Sequence, residues 1–300
     1  MINFFHSYLP QPIFLQLGPI TIYWYGFFMA LAVLAGLLIS LRVAHWHGVS
    51  KDVIYDLFFY LIIFGFIGAR IFYVLYNWPY FWQYPLDIFK IWQGGIAIYG
   101  GILFGAIGLW YFCRHLTPFP LLTKERALKA GEVFWLLAAF ITPGLALGQA
   151  IGRWGNYFNQ ELFGLPTNLP WGIPINLANR PPGFENFSYF HPTFLYESIG
   201  DVAIFILLLL IHWFFTHNAR GEGRGTRNEQ KPPKNRYVLC VMCYVLLYSA
   251  LRFALEFLRI DPTAGNIFGV RATQGLSAMI LVGSIVYLTY FIIKKSHQRV

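Results

Sequence analysis

Charged side chains are scarce in this chain of 300 residues, where Asp, Glu, Lys and Arg together make up 12% of the sequence. In soluble globular proteins such residues make up about a quarter. Hydrophobic residues account for 57% and aromatic residues for 20%. So little charge excludes an ordinary soluble enzyme, and so much apolar surface excludes a disordered chain. The composition predicts a protein that lies in a lipid bilayer.

Cysteine is scarce as well. Cys113, Cys240 and Cys243 lie within or at the ends of apolar segments, where a free cysteine behaves as a small buried hydrophobic residue. This distribution excludes a disulfide framework. Cys240 and Cys243 form a CxxC pair, but the sequence offers it neither a second pair nor a nearby histidine, so we expect no redox or zinc site. The sequence therefore predicts no metal ion and no organic cofactor.

Long apolar runs, by contrast, are plentiful. Residues 1–18 have neither a basic segment nor a small-residue cleavage site, so we expect no removable signal peptide. Crossing a hydrocarbon core takes about 20 residues. Seven runs approach or exceed that length, near residues 20–41, 53–76, 95–112, 133–151, 196–215, 237–258 and 273–293. The chain is therefore predicted to be an all-α, polytopic membrane protein with seven transmembrane helices, forming a single integral-membrane domain over residues 1–300.

The connections between these runs differ in positive charge. The connections near 42–52, 113–132 and 216–236, together with the tail after 293, hold 15 of the 22 Lys and Arg residues. Cytoplasmic connections of membrane proteins are enriched in Lys and Arg, so we expect the N-terminus outside and the C-terminus in the cytoplasm. The net charge of +9 is then explained by loops beside anionic membrane lipids. A nucleic-acid partner is not expected.

Two connections differ in composition. Residues 152–192, on the outer side, are rich in Asn, Pro, Gly and aromatic residues, which is typical of an ordered loop on or in the membrane interface. On the cytoplasmic side, the connection 216–236 contains the Gly-, Pro- and charge-rich stretch 221–236 and is expected to be a flexible linker. We expect chemistry in the outer loop.

The sixth run carries polar residues inside an apolar segment. Tyr248, Arg252 and Glu256 are spaced by four, and Arg259 follows three later, so all four share one face of a helix. Ionisable residues within a membrane span are costly and mark functional sites by default. The structural alternative is an internal ion pair between Arg252 and Glu256 that fastens neighbouring helices.

The segment from Gly152 to Gly164 forms a second concentration of polar residues, at the outer end of the fourth run. Its polar and charged side chains are separated by aromatic residues and bracketed by glycines, so the backbone can approach a ligand closely. A helix terminus with aromatic residues at the interface is the structural alternative. The candidate residues are Arg153, Asn156, Asn159, Glu161 and Gly164.

Further candidates lie near the starts and ends of other runs. His191 and Glu197 open the fifth run, where helix capping is the alternative. Arg70 lies near the outer end of the second run, where an arginine can also extend to the interface. Glycine pairs at 94–95 and 100–101 flank Tyr99 and indicate either close helix packing or space for a ligand. Three glycines of the fourth run are expected to pack against a helix: Gly144, Gly148 and Gly152.

The predicted topology places these candidates on the same side of the membrane. Several of them are arginines and few are acids, which favours a polar cavity at the level of the outer leaflet that binds an anionic headgroup, most simply a phosphate. The residues in the outer half are Tyr25, Arg70, Tyr99, Arg153, His191, Tyr196, Arg252, Glu256 and Arg259.

At these residues the sequence resembles the prolipoprotein diacylglyceryl transferases, a family of bacterial inner-membrane enzymes. The segment Gly152–Gly164 (GRWGNYFNQELFG) fits the signature of that family. The resemblance covers nearly the whole chain, through Tyr25–Gly26, Gly68–Arg70, the glycine pairs around Tyr99, His191–Pro192 and the face from Tyr248 to Arg259. The seven-span, N-out architecture of the family agrees with the distribution of charge.

The resemblance implies a reaction and a set of site residues. Diacylglycerol would pass from phosphatidylglycerol to the lipobox cysteine thiol of a prolipoprotein signal peptide, forming a thioether and releasing glycerol phosphate. Arg153 and Arg252 would be the residues on which the reaction depends most, with Tyr99, Glu256 and His191 as further catalytic candidates. Contacts to phosphatidylglycerol are expected from Arg153, Arg252, Tyr25, Arg70, Asn156, Asn159, Glu161, Gly164, Tyr248 and Arg259.

The sequence departs from one version of the family pattern at Tyr99, where some members carry a histidine. A tyrosine hydroxyl is a poor base at neutral pH unless nearby arginines stabilise its anion. The thiol must lose its proton to react, and the acceptor stays open among Tyr99, Glu256, Glu161 and His191.

Two other classes of protein compete with a transferase. A transporter, channel or receptor would need a polar path through the membrane, whereas the ionisable residues of this chain stop in the outer half. A structural scaffold leaves the outer arginines unexplained. The sequence therefore favours the transferase.

Overall fold

The computed structural model describes residues 2–91, 94–116, 130–221, 234–260, 266–267 and 270–297, and most of them are helical. The long helices are α2 (Trp24–Trp46), α3 (Lys51–Tyr76), α6 (Ala130–Phe158), α7 (Thr193–Gly221), α8 (Lys234–Glu256) and α9 (Ala272–His297). The shorter ones are α1 (Ile2–Ser7), α4 (Trp78–Gln83) and α5 (Ile98–Tyr111). Antiparallel strand pairs join β1 (Ile13–Leu17) to β2 (Ile20–Tyr23), β3 (Ile173–Pro174) to β4 (Tyr189–Phe190), and β5 (Asn266–Ile267) to β6 (Val270–Arg271).

Six of these helices contain a segment that is long and apolar enough to cross a membrane: residues 24–46, 51–76, 131–158, 193–216, 236–256 and 273–291. The chain is therefore a mostly helical, multi-pass membrane protein, as its composition predicts. The first predicted run is wrong at its start, because residues 20–23 form β2, which is hydrogen-bonded to β1. Hydropathy counts those side chains as apolar whether they belong to a strand or to a helix.

The third predicted run, residues 95–112, forms a shorter helix. The 14 residues of α5 rise about 21 Å, which is less than the roughly 30 Å of a hydrocarbon core. A π-helical turn, Phe112–Leu116, continues directly from α5. Within the described residues, six helices and not seven reach the length and hydropathy of a membrane span.

The chain divides into two compact units. The first comprises residues 1–39 and 141–300, and the second comprises residues 40–140. The boundaries fall inside α2 and α6, so each of these helices contributes to both units.

In the second unit, α3 and α5 pack closely at positions where both helices carry glycine. A Cβ atom on Gly68 would lie 2.1 Å from Cβ of Phe104, and one on Gly100 would lie 2.3 Å from the carbonyl oxygen of Gly68. Such small residues let membrane helices approach each other. The helix-packing alternative is therefore confirmed for Gly100.

In the first unit, the N-terminal part of α2 packs on α6 in the same way. A Cβ atom on Gly144 would lie 2.5 Å from the carbonyl oxygen of Gly36, and one on Gly148 would lie 3.3 Å from that of Ala32. The expectation for Gly152 is wrong, since open space surrounds the position of its missing side chain. Gly152 lies one turn after Gly148, beyond the part of α6 that contacts α2.

A buried apolar cluster anchors the loop that follows α6. It holds together the end of α6, the β3–β4 pair and the start of α7, and α1 adds Phe5, whose ring contacts those of Trp154, Tyr157 and Phe194. The buried members are Tyr157, Phe163, Ile173, Ile175, Phe190, Phe194 and Ile260.

The two loops of the sequence analysis have these bounds in the structure. Of the loop 152–192, which is predicted to lie outside, residues 152–158 are the last two turns of α6, and residues 159–192 contain β3, β4 and a 3-10 turn at Leu177–Asn179. In the loop 216–236, which is predicted to be cytoplasmic, residues 216–221 continue α7 and residues 234–236 begin α8. Residues 222–233, for which a flexible linker is predicted, lie outside the described residues.

Candidate active site

Glu197 forms ion pairs with two arginines from different helices. Its Oε1 lies 2.7 Å from Nη2 of Arg153 on α6, and its Oε2 lies 3.0 Å from Nη1 of Arg252 on α8. Arg252 also pairs through Nη2 with Oε2 of Glu256, one turn further along α8, at 3.1 Å. Arg153, Glu197, Arg252 and Glu256, the arginine cluster, thus form a row of alternating charge across α6, α7 and α8.

The helix ends explain why these four residues meet. Arg153 lies in the last turns of α6, Glu197 in the first turns of α7, and Glu256 is the last residue of α8. The spacing of four between Arg252 and Glu256 places both on one face of α8. The ion pair that the sequence analysis gave as the structural alternative is therefore present, and it is part of the same cluster as Arg153.

The acids of the cluster are buried, whereas the arginines are partly accessible. The side chains of Glu197 and Glu256 are 3% and 4% exposed, and those of Arg153 and Arg252 are 18% and 13% exposed. A guanidinium presents five N–H donors in a planar fork, so the contacts to these carboxylates do not use all of them. The accessible part of the cluster can therefore bind a phosphate through parallel hydrogen bonds.

Two hydroxyl groups complete the cluster. Nη2 of Arg153 donates to Oη of Tyr248 at 3.3 Å, one turn before Arg252 on α8. Oγ1 of Thr273 donates to Oε1 of Glu256 at 2.7 Å. These bonds orient Arg153 from α8 and tie Glu256 to the start of α9.

The signature segment folds back on the end of α6. Nδ2 of Asn156 donates to Oε1 of Glu161 at 2.7 Å, and Nδ2 of Asn159 donates to the same oxygen at 3.5 Å. Nη1 of Arg153 donates to Oδ1 of Asn156 at 3.5 Å. Asn156 thereby links the carboxylate of Glu161 to the arginine cluster.

Two residues with positive φ produce this fold-back. Gln160 and Leu162 have φ angles of 53° and 57°, in the left-handed region that non-glycine residues seldom adopt. Gln160 is buried and holds the bend, since its Nε2 donates to the carbonyl oxygen of Pro10 at 2.8 Å and its Oε1 accepts from the backbone N–H of Asn176 at 2.7 Å. Glu161 is therefore held between two constrained residues.

Gly164 lies in a space that admits no side chain. A Cβ atom at this position would lie 2.8 Å from Cβ of His191, 2.8 Å from the carbonyl oxygen of Leu258 and 2.9 Å from Cγ2 of Thr193. Gly164 also forms a β-bridge with Arg259, and its backbone N–H donates to the carbonyl oxygen of His191 at 2.9 Å. This glycine joins the signature segment to the ends of α7 and α8, and the side chain of Arg259 is buried beside it.

Tyr25 lies against the signature segment from α2. A Cβ atom on Gly155 would lie 2.8 Å from Cδ2 of Tyr25, so the glycine gives the ring its place. Tyr25 is close enough to Glu161 and Arg153 for electrostatic interaction with both, and it is 38% exposed. Its hydroxyl is therefore available at the edge of the cluster.

His191 belongs to a different hydrogen-bonded group. Its Nδ1 lies 3.1 Å from Oη of Tyr196, which accepts from Nε1 of Trp171 at 2.8 Å. Partial burial lowers the pKa of His191 from its usual value, so the imidazole is neutral at pH 7. A neutral imidazole can accept a proton, so His191 stays a candidate acceptor. Its ring contacts Tyr196.

Arg70 and Tyr99 lie in the second unit. Arg70 is buried and donates to four carbonyl oxygens, those of Asp87, Ile88, Gly94 and Gly95, at 2.6 to 2.9 Å. These contacts favour a structural role for Arg70 in closing the segment between α3 and α5, and its contact with phosphatidylglycerol stays a prediction. Tyr99, in the first turn of α5, is 47% exposed, and its part in the reaction also stays a prediction.

The family model of the prolipoprotein diacylglyceryl transferases matches residues 12–290 of this chain. The chain belongs to this family. The phosphatidylglycerol–prolipoprotein diacylglyceryl transferase of Parasynechococcus marenigrum is 41% identical over 280 residues, which cover 91% of each chain. The enzyme of the same name from Synechocystis sp. is 37% identical over 288 residues, covering 96% of this chain and 92% of the relative. That of Trichormus variabilis is 42% identical over 252 residues, covering 84% of this chain and 80% of the relative.

Sequence reasoning underestimated the acids in and near the arginine cluster. It treated Glu197 mainly as a helix-start residue, although this carboxylate joins the two arginines. It missed Asp201, one turn further along α7, and the hydrogen bond from Oη of Tyr244 to Oε1 of Gln149 at 2.8 Å. The available sequence signal was the spacing of four residues from Glu197 to Asp201 and from Gln149 to Arg153, which places each pair on one face of a helix.

Proposed function

We propose that this chain transfers the diacylglyceryl group of phosphatidylglycerol to the lipobox cysteine thiol of a prolipoprotein. The thiol sulfur forms a bond to the glyceryl carbon, the bond from that carbon to the phosphate oxygen breaks, and glycerol phosphate leaves. Family membership over residues 12–290 supports the reaction. The observation that carries the site is the pair of partly accessible arginines, Arg153 and Arg252, held on one buried carboxylate.

The arginines would stabilise the leaving group. Negative charge grows on the phosphate ester as the carbon–oxygen bond breaks, and fixed donors in a site of low dielectric stabilise such charge strongly. Glu197 holds both guanidinium groups near each other before the substrate binds. Tyr248 and Asn156 fix the orientation of Arg153. The enzyme therefore spends little free energy on bringing the donors together during the reaction.

The thiol needs a proton acceptor, and the candidates differ in their partners. Glu256 is paired with Arg252 and accepts a hydrogen bond from Thr273, so both of its carboxylate oxygens already have a donor. The hydrogen bonds recorded for Glu161 among the described residues come from amide groups of Asn156 and Asn159, and Glu161 is exposed. These contacts favour Glu161 over Glu256 as the acceptor, with His191 and Tyr99 as the other candidates.

The remaining predicted site residues take supporting positions in this proposal. Tyr25 and Tyr248 bring hydroxyl groups to the edges of the cluster, and Gly164 fixes the end of the signature segment. Asn159 and Arg259 complete the proposed contacts to phosphatidylglycerol, whereas the four carbonyl partners of Arg70 favour a structural role over its predicted contact with the lipid. The transferase would form one integral-membrane domain over residues 1–300, with the signature in the outer loop 152–192 and a flexible cytoplasmic loop at 216–236.

The topology that we propose has seven crossings of the bacterial inner membrane. α5 and the π-helical turn after it extend the helical segment from residue 98 to residue 116, which supports a short seventh crossing. The concentration of Lys and Arg in four connections supports an N-terminus outside and a C-terminus in the cytoplasm. The arginine cluster would then lie at the level of the outer leaflet, where the prolipoprotein cysteine arrives.

The proposal is tested with the full-length protein in vesicles that contain radiolabelled phosphatidylglycerol, together with a lipobox peptide. Transfer of label to the peptide cysteine is expected. In each of the variants Arg153→Ala and Arg252→Ala, the rate of this transfer should fall by about 1,000-fold or more. Arg42→Ala is the control, because Arg42 lies near the C-terminal end of α2, whereas Tyr25 of the site lies at its N-terminal end. Transfer near the wild-type rate in either site variant contradicts the site assignment, and uptake of lipid without transfer favours a transporter.

A further inference from the structure

Asp201 is a buried carboxyl group close to the arginine cluster. It lies on α7 one turn after Glu197, a distance of about 6 Å along the axis, and its exposed fraction is 0%. The spacing of four residues places Asp201 and Glu197 on the same face of α7, which is the face that Arg153 and Arg252 contact through Glu197.

Neither oxygen of this carboxyl group has a hydrogen-bond partner among the described residues. Charged and titratable groups nevertheless surround it. Arg153 faces it from α6, three residues of α8 face it, and Glu197 precedes it on its own helix. The three residues of α8 are Tyr244, Tyr248 and Arg252.

The partners of these groups explain why Asp201 is left without a donor. Arg153 and Arg252 direct their Nη atoms to Glu197, Glu256, Asn156 and Tyr248. One turn before Tyr248 on α8, the hydroxyl of Tyr244 donates to Oε1 of Gln149. The nearby donors described above are thus directed to other acceptors.

An ionised carboxylate in such a place is costly. Burial without hydrogen bonds penalises the charged form far more than the neutral acid, and the negative charge of Glu197 one turn away adds repulsion. The two arginines are already balanced by Glu197 and Glu256, so a further negative charge would leave the group with a net charge of −1. Asp201 is therefore expected to hold a proton in the resting enzyme.

We propose that Asp201 is a positioning residue for the transfer reaction, because its proton keeps the arginine cluster uncharged overall and so able to bind an anionic phosphate diester. Ionised Asp201 would compete with that phosphate for Arg153 and Arg252. This inference rests on the proposed function. It adds that a buried residue without contact to the substrate controls the affinity of the site for phosphate.

The test measures the binding of phosphatidylglycerol to the full-length protein at several pH values in the absence of peptide, so that ionisation of the thiol plays no part. For the wild type, the dissociation constant should rise by about tenfold or more between pH 6 and pH 9.5 as Asp201 loses its proton. In Asp201→Asn, which is neutral and nearly the same size, the low dissociation constant of pH 6 should persist over the whole range. The KM for phosphatidylglycerol should follow the same pattern, with kcat at pH 6 within about threefold of the wild type.

Ser198→Ala is the matched control. Ser198 is buried on α7, and its Oγ donates to the carbonyl oxygen of Ala150 on α6 at 2.9 Å, so this variant removes a buried polar contact between the same two helices. It should lower thermal stability and keep the wild-type pH dependence. If Asp201→Asn does not fold, Asp201→Ser is measured instead. The pH series of the wild type tests the inference without any variant.

The outcomes separate this inference from the proposed function. A wild type whose affinity does not change with pH, or an Asp201→Asn variant whose affinity falls in parallel with that of the wild type, overturns the inference and leaves the transferase intact. Loss of binding at every pH in Asp201→Asn also overturns it, because the carboxylate would then act in its ionised form. Absence of thioether formation by the wild type overturns the proposed function instead.

Discussion

Arginines in the two units of this protein are held in opposite ways. Arg70, in the second unit, donates to four backbone carbonyl oxygens, which are neutral groups fixed by the chain itself. Arg153 and Arg252, in the first unit, are paired with the side chains of Glu197 and Glu256. Backbone carbonyl oxygens that are fixed by the fold keep the N–H donors of a guanidinium occupied. A carboxylate shared by two arginines leaves some of their N–H donors available to a phosphate. The difference favours a structural role for Arg70 and supports the catalytic role that we propose for Arg153 and Arg252.

The largest effect is expected from changing the geometry of the pair while keeping its charge. In Arg153→Lys and Arg252→Lys, an ammonium group replaces the planar fork and cannot bind Glu197 and a phosphate in the same manner. The kcat/KM for transfer to a lipobox peptide should fall by about 100-fold or more. Steady-state kinetics in vesicles of phosphatidylglycerol measures this, and kcat/KM within fivefold of the wild type would show that charge alone suffices.

The second effect concerns the proton acceptor beside the pair. Glu161→Gln keeps the shape of the side chain and can still contact Asn156 and Asn159, but it accepts no proton at neutral pH. We expect kcat to fall by about 100-fold with little change in the KM for phosphatidylglycerol. His191→Gln is the comparison variant, and a larger loss there than in Glu161→Gln would reassign the acceptor to the imidazole.

The third effect comes from the backbone that supports the cluster. In Gly164→Ala the new Cβ atom meets Cβ of His191 and the carbonyl oxygen of Leu258 at 2.8 Å, so the signature segment must shift. We expect a loss of about 1–3 kcal/mol in stability and a fall of about tenfold in activity. Gly152→Ala is the matched control, because that position is open. Thermal unfolding in detergent and the transfer assay compare the two, and equal behaviour of both would contradict the packing of Gly164.

The smallest effect on the chemistry is expected from Arg70. Arg70→Ala removes the hydrogen bonds from this side chain to four carbonyl oxygens, which should cost about 2–4 kcal/mol of stability. Protein that remains folded should keep kcat and the KM for phosphatidylglycerol within about threefold of the wild type. A rise in KM of tenfold or more, measured below the unfolding temperature, would instead place Arg70 at the substrate and remove the contrast between the two units.

Much of this site could be predicted because membrane insertion restricts charge so strongly. In an apolar run, Arg252 and Glu256 are conspicuous, and a spacing of four is enough to place them side by side on a helix. Arg153 lies just after another apolar run. The family signature added Asn156, Glu161 and Gly164. Glu197 was harder to assign because an acid near a helix start has an adequate local explanation in capping and the helix dipole.

The sequence by itself determined that the chain spans a membrane and that α8 carries a polar face, because hydropathy and helical periodicity are local properties. Only the tertiary structure decided which groups meet. It placed Glu197 between two arginines of other helices and gave Arg70 four carbonyl partners. It also buried Asp201 where no described residue hydrogen-bonds to its carboxyl group. The strength of an ion pair and the state of a buried acid depend on partners far apart in the chain, and their positions follow from how α6, α7 and α8 pack.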